Sequence, residues 1–187
     1  MRPLSLRDGR AWREVRARNR EWLAPWEATV PPGDNTAPAT FRAMVRDLRR
    51  QARHGRAMPF AVTVDDAFVG QLTVSNIVGG SARWAQIGYW VDQEYAGQGV
   101  MPTAVALAVD HVLFEVGLHR VEIAIRPENT ASLRVVHKLG FLEYGYAPRY
   151  LHIDGDWRDH RLFALTAEDC PRGLLRRYKI EGPRDNP

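Results

Sequence analysis

Between Trp84 and Gly140 the sequence alternates four runs of different period, and this alternation limits the fold more than any other feature of the chain. "WAQIGYWV" is a strand-length apolar run and "PTAVALAVDHVLFEVG" a helix-length one; "HRVEIAIR" alternates with period two, and "TASLRVVHKLG" returns to helical spacing. Strand, helix, strand, helix requires a crossover, and a crossover of that length joins parallel neighbours. Upstream, "FAVTV", "FVGQLTVSNIV" and "WAQIGYWV" are separated by turns at Asp65-Asp66 and Gly79-Gly80, as in an antiparallel meander. Downstream, strands are expected near "FLEYGYA" and "WRDHRLFALT". The chain therefore predicts an α/β (α+β) fold: a mixed, mostly antiparallel sheet with helices on both faces.

The N-terminal region carries helices instead. Asp8 is placed to cap a helix over roughly 9–21, with Trp12, Val15 and Asn19 along one side. The loop "LAPWEATVPPGDNTAP" ends it. A second helix is expected over roughly 38–54, where Phe41, Val45, Leu48 and Ala52 recur at helical spacing and Gly55 offers a left-handed stop. Thirteen Arg against six Asp or Glu make residues 1–60 basic. Such spacing usually marks a solvated helix face, and it also suits a ribonucleoprotein partner through its phosphates. With 187 residues, 45% of them apolar, and no break in composition, one domain is expected over 1–175, followed by a basic, flexible tail over 176–187. No apolar run approaches the ~18 residues of a membrane span, and no export signal is read at the start. The lone Cys170 cannot form an internal disulfide and lacks zinc-ligand spacing. A cytoplasmic protein with an inert thiol is expected.

Between the third strand and the long helix stands "EYAGQGVMPT". Gly97 and Gly99 leave backbone amides open to an approaching group, and the helix that follows puts the positive end of its dipole behind them. Pro102 reads as the first residue of that helix, where its missing N–H costs nothing, and Thr103 adds a hydroxyl and an amide. Two glycines also make an ordinary tight turn, so the junction by itself defines an anion site without naming the anion. Neither a Gly-Lys-Ser/Thr loop nor the third glycine of the dinucleotide fingerprint is present.

A second junction sharpens the reading. "IRPENTASLRVVHKLGF" places Asn129 and Ser132 at a strand-to-helix turn and closes that helix with "KLGF". Together with "IGYWVDQEYAGQGVM", this segment resembles the GNAT superfamily of N-acetyltransferases. The resemblance implies that the strand before the glycine junction splays from its neighbour and that pantetheine follows its edge at Trp90 and Val91. It also implies that the junction residues Gly97, Gln98, Gly99, Val100, Met101 and Thr103 hold the acetyl-CoA pyrophosphate. The family pattern Arg/Gln-x-x-Gly-x-Gly/Ala is departed from at Ala96 and Met101, although backbone amides do the binding. Three segments, "AWREVRARNREWLAPWE", "YWVDQEYAGQGVM" and "RYLHIDGDWRDHRLFALT", are similar to the RimJ/RimL group of ribosomal-protein alanine N-acetyltransferases. That similarity implies acetyl transfer from acetyl-CoA to the free amine of a protein N-terminus, with a ribosomal protein beginning with alanine as substrate.

Direct transfer needs a neutral amine, stabilisation of the carbonyl oxygen and a proton for the departing thiolate. An α-amino group of pKa ~7.7–8.0 is neutral in roughly a quarter of molecules near pH 7.4, so its deprotonation costs only ~0.8 kcal/mol, against ~4 for a lysine. A modest base reached through water suffices. Glu27, in the "APWE" loop, and Glu122, on the strand facing the splayed one, are the candidates; whether Glu122 faces the site depends on strand register. Where many superfamily members carry a tyrosine acid, this chain has Val136, and the resemblance assigns Ser132 as the partner of the thiolate; capping the helix is the alternative role. Asn129 reads as both cap and pantetheine contact. A backbone amide near Trp90 to Asp92 is expected to meet the carbonyl oxygen. Trp22, Trp26 and Tyr150 are expected to wall a slot for an extended peptide, with core packing as the alternative. His152, Asp154, Asp159 and His160 lack metal-ligand spacing, Asp154-Gly155 reads as a hairpin turn, and no metal is expected. Two other functions fit the same residues: acetylation of a small amine such as an aminoglycoside or polyamine, or a ribosome assembly module that retains the fold.

Overall fold

The computed structural model describes residues 1–34, 38 and 40–181. In chain order its elements are β1 (Arg2–Pro3), α1 (Gly9–Arg18), α2 (Arg20–Leu23), α3 (Phe41–Arg53), β2 (Met58–Val64), β3 (Ala67–Val78), β4 (Trp84–Val91), α4 (Val100–Asp110), β5 (Arg120–Ile125), α5 (Thr130–Lys138), β6 (Leu142–Ile153), β7 (Asp156–Thr166) and α6 (Leu174–Glu181). The seven strands form one sheet in the order β1-β2-β3-β4-β5-β7-β6. Every neighbouring pair is antiparallel except β4 and β5, which the crossover through α4 makes parallel. The mixed, mostly antiparallel sheet expected from the sequence is the one observed.

The pairing of β4 with β5 is short. Only Trp84↔Arg120, Ala85↔Val121 and Gln86↔Glu122 are joined, while β4 stays with β3 as far as Gly70↔Val91 and β5 stays with β7 as far as Ile125↔Arg161. Beyond Gln86 the two strands therefore diverge, each following its other neighbour. Gly70 is what lets β4 lean towards β3: a Cβ there would lie 2.4 Å from the Trp90 carbonyl oxygen. The amide of Asp92 continues the attachment with a 2.8 Å bond to Val69.

Helices cover both faces. Leu72, Val74, Ala85, Ile87, Val121 and Ile123 pack against Val105, Val109 and Val136 of α4 and α5, whereas α1 and α3 cover Ala61 and Phe68 with Val15, Phe41 and Val45. Gly55, at φ 67°, stops α3 as expected, and Thr40 caps its start by accepting from the Ala43 amide. Helix α4 is apolar on nearly all sides, and α6 covers the side that the sheet does not. Asp110, at the end of α4, accepts from the amides of Leu174 (2.5 Å) and Leu175 (3.1 Å), and Leu174 is fully buried. The flexible tail expected from 176 is thus helical as far as Glu181; residues 182–187 lie outside the described residues. Cys170 is buried, and burial pushes its thiol up to about 11, which keeps it protonated and unreactive.

The first helix is shorter than its periodicity suggests. Asp8 engages the Ser5 amide and Arg2 instead of capping α1, and the helix breaks at Asn19. Asn19 is 3% exposed, and its side chain explains the break. Its amide donates to the Val15 carbonyl and to Asp92 Oδ1, both at 2.8 Å, and its oxygen accepts from the Gln93 amide at 2.9 Å. Asp92, 2% exposed, completes the clamp with an ion pair to Arg18. Burial alone would raise the Asp92 carboxyl, but the bonds from Arg18 and Asn19 outweigh it and hold the group below the usual carboxylate range. Its contribution to stability is therefore complete above the ordinary carboxyl pKa and is lost as pH falls through the depressed native value. Replacing Asp92 by Ala should cost about 3 kcal/mol in urea unfolding at pH 7, because it strands the buried Asn19 amide and unpairs Arg18. The gap between wild type and Asp92→Asn should narrow as the pH is lowered below ~4, measured by the same unfolding series.

Candidate active site

After β4 a short turn (Gln93–Tyr95) leads to Gly97 and Gly99, both at φ 80°, where other residues would be strained. A Cβ at Gly97 would meet nothing within 4 Å, so the chain surface there is open. Gly99 directly precedes α4, and its carbonyl accepts from the Thr103 amide at 3.1 Å. Two expectations change accordingly. Pro102 is the third helical residue and not the first, still within the turn whose amides lack helical acceptors. The Thr103 amide is engaged inside the helix, which leaves its hydroxyl. Among the described residues, none of the amides of Gly97, Gln98, Gly99, Val100 and Met101 makes a well-formed hydrogen bond within the chain. Gln98 folds its side chain back onto the Glu94 carbonyl at 2.6 Å, and Met101 is packed into the main core, so neither crowds these donors. The positive end of α4 stands behind them.

The second junction lies opposite. Asn129 caps α5, its Oδ1 accepting from the Ser132 amide at 3.0 Å. With the cap supplied by Asn129, the Ser132 hydroxyl is available to another partner, and it pairs with the Tyr89 hydroxyl at 2.7 Å. The two roles left open for Ser132 are thereby separated. Tyr89 belongs to the part of β4 that has left β5, so the pair sits in the fork. Burial raises the Tyr89 phenol above its ordinary value, and the Ser132 bond offsets only part of that, so the phenol keeps its proton near neutral pH. Sequence reasoning missed Tyr89, and no local pattern marks it: only the register of β4 turns it towards α5. Val136, where a tyrosine acid was looked for, is fully buried in the core.

A cleft of about 540 Å³ runs from the glycine junction past Ser132 and Tyr89 to Trp12, Arg16, Trp22, Trp26 and Glu27, with Trp90, Val91 and Asn129 in its walls. Trp22 donates its indole N–H to the Val91 carbonyl at 3.2 Å, so it braces β4 as well as lining the cleft. Trp26 lies 5.4 Å below the Arg126 guanidinium, which also donates to the Pro25 carbonyl at 2.6 Å. Glu27 is ion-paired with Arg16, whose guanidinium covers Trp12 and Trp90 at 5.1 and 5.6 Å. Neither Arg16, one of the thirteen arginines read together as a basic surface, nor Gln71, bonded to the Trp12 indole at 3.1 Å, was singled out in the sequence. A second recess of about 350 Å³ shares Trp26, Tyr89, Trp90, Asn129 and Ser132 with the first and adds Ala124, Leu151, Ile153 and His160.

Two expected residues lie elsewhere. Glu122 faces Gln86 at the closed end of the fork, pairs with Arg120 at 2.6 Å and accepts from the Tyr144 hydroxyl at 2.8 Å; it lines neither space. Its register turns it onto the open sheet face. Tyr150 also lines neither. Between Ala147↔His160 and Leu151↔Arg158 the strand β6 bulges around Pro148, which has no amide for the ladder, and Arg149 at φ 48°. The bulge carries Tyr150 outward to a 3.3 Å bond with Gln86. The Asp92 amide is bonded to Val69, and the same ladder parity turns the Trp90 amide towards Gln71 of β3, so only the Val91 amide faces the fork of those expected near the carbonyl oxygen. Among the described residues no group of His, Cys, Asp and Glu is arranged to hold a metal ion, and no helix is long and apolar enough to cross a membrane.

Comparison with known proteins agrees with this geometry. An acetyltransferase (GNAT) domain model matches residues 1–142. The ribosomal protein uS5-alanine N-acetyltransferase of Escherichia coli (strain K12) is 34% identical over 172 residues, which span 90% of this chain and 88% of that protein. Mycobacterium smegmatis RimJ in complex with CoA-disulfide superposes with a TM-score of 0.90 at 41% identity, covering 97% of this chain and 88% of the other. The ribosomal-protein-S5-alanine acetyltransferase from Vibrio fischeri superposes at 0.77 with 32% identity, covering 90% and 92%. With the forked strand pair and the open amides at the glycine junction, these similarities place the chain in the acetyltransferase (GNAT) domain family, as an N-acetyltransferase that uses acetyl-CoA as acyl donor.

Proposed function

We propose that the protein acetylates the N-terminal amine of a ribosomal protein beginning with alanine, and that transfer takes place in the fork between β4 and β5. The observation that carries this reading is that one cleft brings together the end of β4 that has left β5, the glycine junction with its open amides at Gly97, Gly99 and Met101, and the Ser132–Tyr89 pair. The alanine substrate rests on the 34% identical relative, whose name specifies that residue. We further infer ribosome association, because Arg42, Arg46, Arg49 and Arg53 project from α3 at spacings that put them on one exposed stripe, a form suited to phosphate-rich surfaces. A cytoplasmic location follows from that partner.

Acetyl-CoA supplies an activated thioester. The amides of Gly97 to Met101 suit its pyrophosphate, since they present donors and the helix dipole without a competing side chain. The edge of β4 at Trp90 and Val91 suits the amide-bearing pantetheine arm, with Asn129 on the facing junction. Trp22, Trp26 and the Arg16–Glu27 pair form the wall along which an extended peptide is expected to lie. The substrate nitrogen then attacks the thioester carbonyl carbon: the N–C bond forms, the C–S bond breaks, and the sulfur takes a proton from Ser132. The proton that the nitrogen loses as the amide forms restores the Ser132–Tyr89 pair along their 2.7 Å bond, so neither side chain is left ionised.

Incubation with an alanine-started peptide should add one acetyl group by mass spectrometry, and the same peptide with a blocked N-terminus should stay unmodified; no product with any free N-terminus would remove the reading. Gly99→Glu should raise the dissociation constant of acetyl-CoA at least tenfold, about 1.4 kcal/mol, in calorimetry, since it sets a carboxylate and an unfavourable φ at the anion site. Tyr89→Phe should lower kcat by about a hundredfold while KM for acetyl-CoA stays within about threefold, because the lost proton route matters only as the thiolate departs.

A further inference from the structure

The second recess contains one titratable side chain that the proposed chemistry leaves unused. His160 lines it from β7, on the sheet face opposite the main core, where Ser132, Tyr89 and Asn129 line the same recess through the fork. The ring is 3% exposed, which is unusual for histidine unless its polar atoms are satisfied or in use. One nitrogen is satisfied: Nδ1 lies 3.0 Å from the Arg158 carbonyl, an acceptor only, so Nδ1 carries the proton and donates. Nε2 has no hydrogen-bond partner among the described residues and retains contact with solvent. The backbone thus fixes the tautomer whose lone pair is on Nε2. Tyr150 packs edge-on against the ring at 5.8 Å and holds its plane.

We propose that His160 is the general base of the reaction, its Nε2 taking the proton from the ammonium form of the substrate N-terminus. The proposal rests on the reading of the site as a protein N-terminal acetyltransferase. The ammonium gives one proton to Nε2; the neutral amine attacks the thioester carbonyl carbon as the C–S bond breaks; the nitrogen loses its second proton as the amide forms, and the sulfur gains one through Ser132 and Tyr89. Taken together, one proton leaves with the products, and His160 passes it to water. The carboxylates considered for this role are less suited. Glu27 is held by Arg16, and Glu122 lies outside both spaces. A histidine is also nearer in proton affinity to an α-amine than a paired carboxylate is, so less of the transfer is uphill.

The surroundings keep the base neutral. Burial is the largest influence and lowers the His160 pKa; Arg126 at the end of β5 lowers it further, while the Arg158 carbonyl, Asp159 and Glu128 act the other way. Neutral Nε2 therefore predominates at neutral pH. In the wild type kcat/KM should stay level from about pH 8 down to the His160 pKa, below the usual ~6.5, because enzyme base and substrate ammonium are then both in the required form.

The test is a pH profile of kcat/KM with an alanine-started peptide for wild type, His160→Asn and His160→Gln, each confirmed folded by thermal unfolding. Asn keeps a donor for the Arg158 carbonyl, and Gln places an amide near Nε2, so each variant covers a folding failure of the other. The expected result is activity within about threefold of wild type near pH 9, falling about tenfold per pH unit below ~7.5, where the variants must wait for a neutral amine. Parallel profiles, or a loss of equal size at every pH, would overturn the role of His160 while leaving the acetyltransferase reading intact. Failure of the wild type to acetylate any free peptide N-terminus would overturn both.

Discussion

The parallel ladder between β4 and β5 stops after three pairs, and the site depends on that stop. Backbone donors and acceptors at a strand edge need partners. Up to Gln86 the neighbouring strand supplies them; beyond it, the facing edges of β4 and β5 are left for something that is itself an extended, amide-bearing chain. Two attachments keep the fork open. Gly70 admits the Trp90 carbonyl on one side, and β7 retains β5 on the other. A sheet that had stayed paired would have no gap between its strands for the Tyr89–Ser132 pair to line.

Polar clamps hold the Trp22–Glu27 wall of the cleft to this frame. The Asn19–Asp92–Arg18 group fixes the break between α1 and α2 against the end of β4, so the loop that follows α2 is aimed over the fork. That loop is then fastened a second time. Ala28 bridges to Ile153, the Asp154 amide donates to the Glu27 carbonyl at 3.0 Å, and Thr29 binds both His152 and Gly155. Trp26 and Glu27 are therefore held between two anchors, which suits residues that form a wall and would otherwise lie on a mobile surface loop.

Much of this was legible in the sequence because it is written in local pattern. The crossover, the meander, the left-handed glycines and the Asp154-Gly155 turn, with φ of 51° and 77°, each follow from periodicity or from residues that few conformations suit. What failed depends on register and distant contact. Glu122 and Ala124 share a face, yet only Ala124 reaches the recess, because the fork opens between them. Tyr150 was displaced by a bulge that Pro148 explains only after the pairing is known. Asn19 satisfied the helical period while its side chain was engaged in ending the helix. The C-terminal helix looked like a basic tail because its apolar positions, Leu174 and Tyr178, gain meaning only beside an α4 that is apolar all round.

The course of α6 has a practical consequence. It starts against Asp110 at the end of α4 and runs back towards the start of α4, where the Tyr178 hydroxyl lies 3.7 Å from the position a Cβ would take at Gly99. A fusion partner or affinity tag joined directly behind Glu181 would consequently follow a helix that leads to the glycine-junction end of the cleft and compete with it for room. One joined ahead of Arg2 would leave from the outermost strand, three strands away from β4, and is the safer design for any labelled or immobilised form of the enzyme.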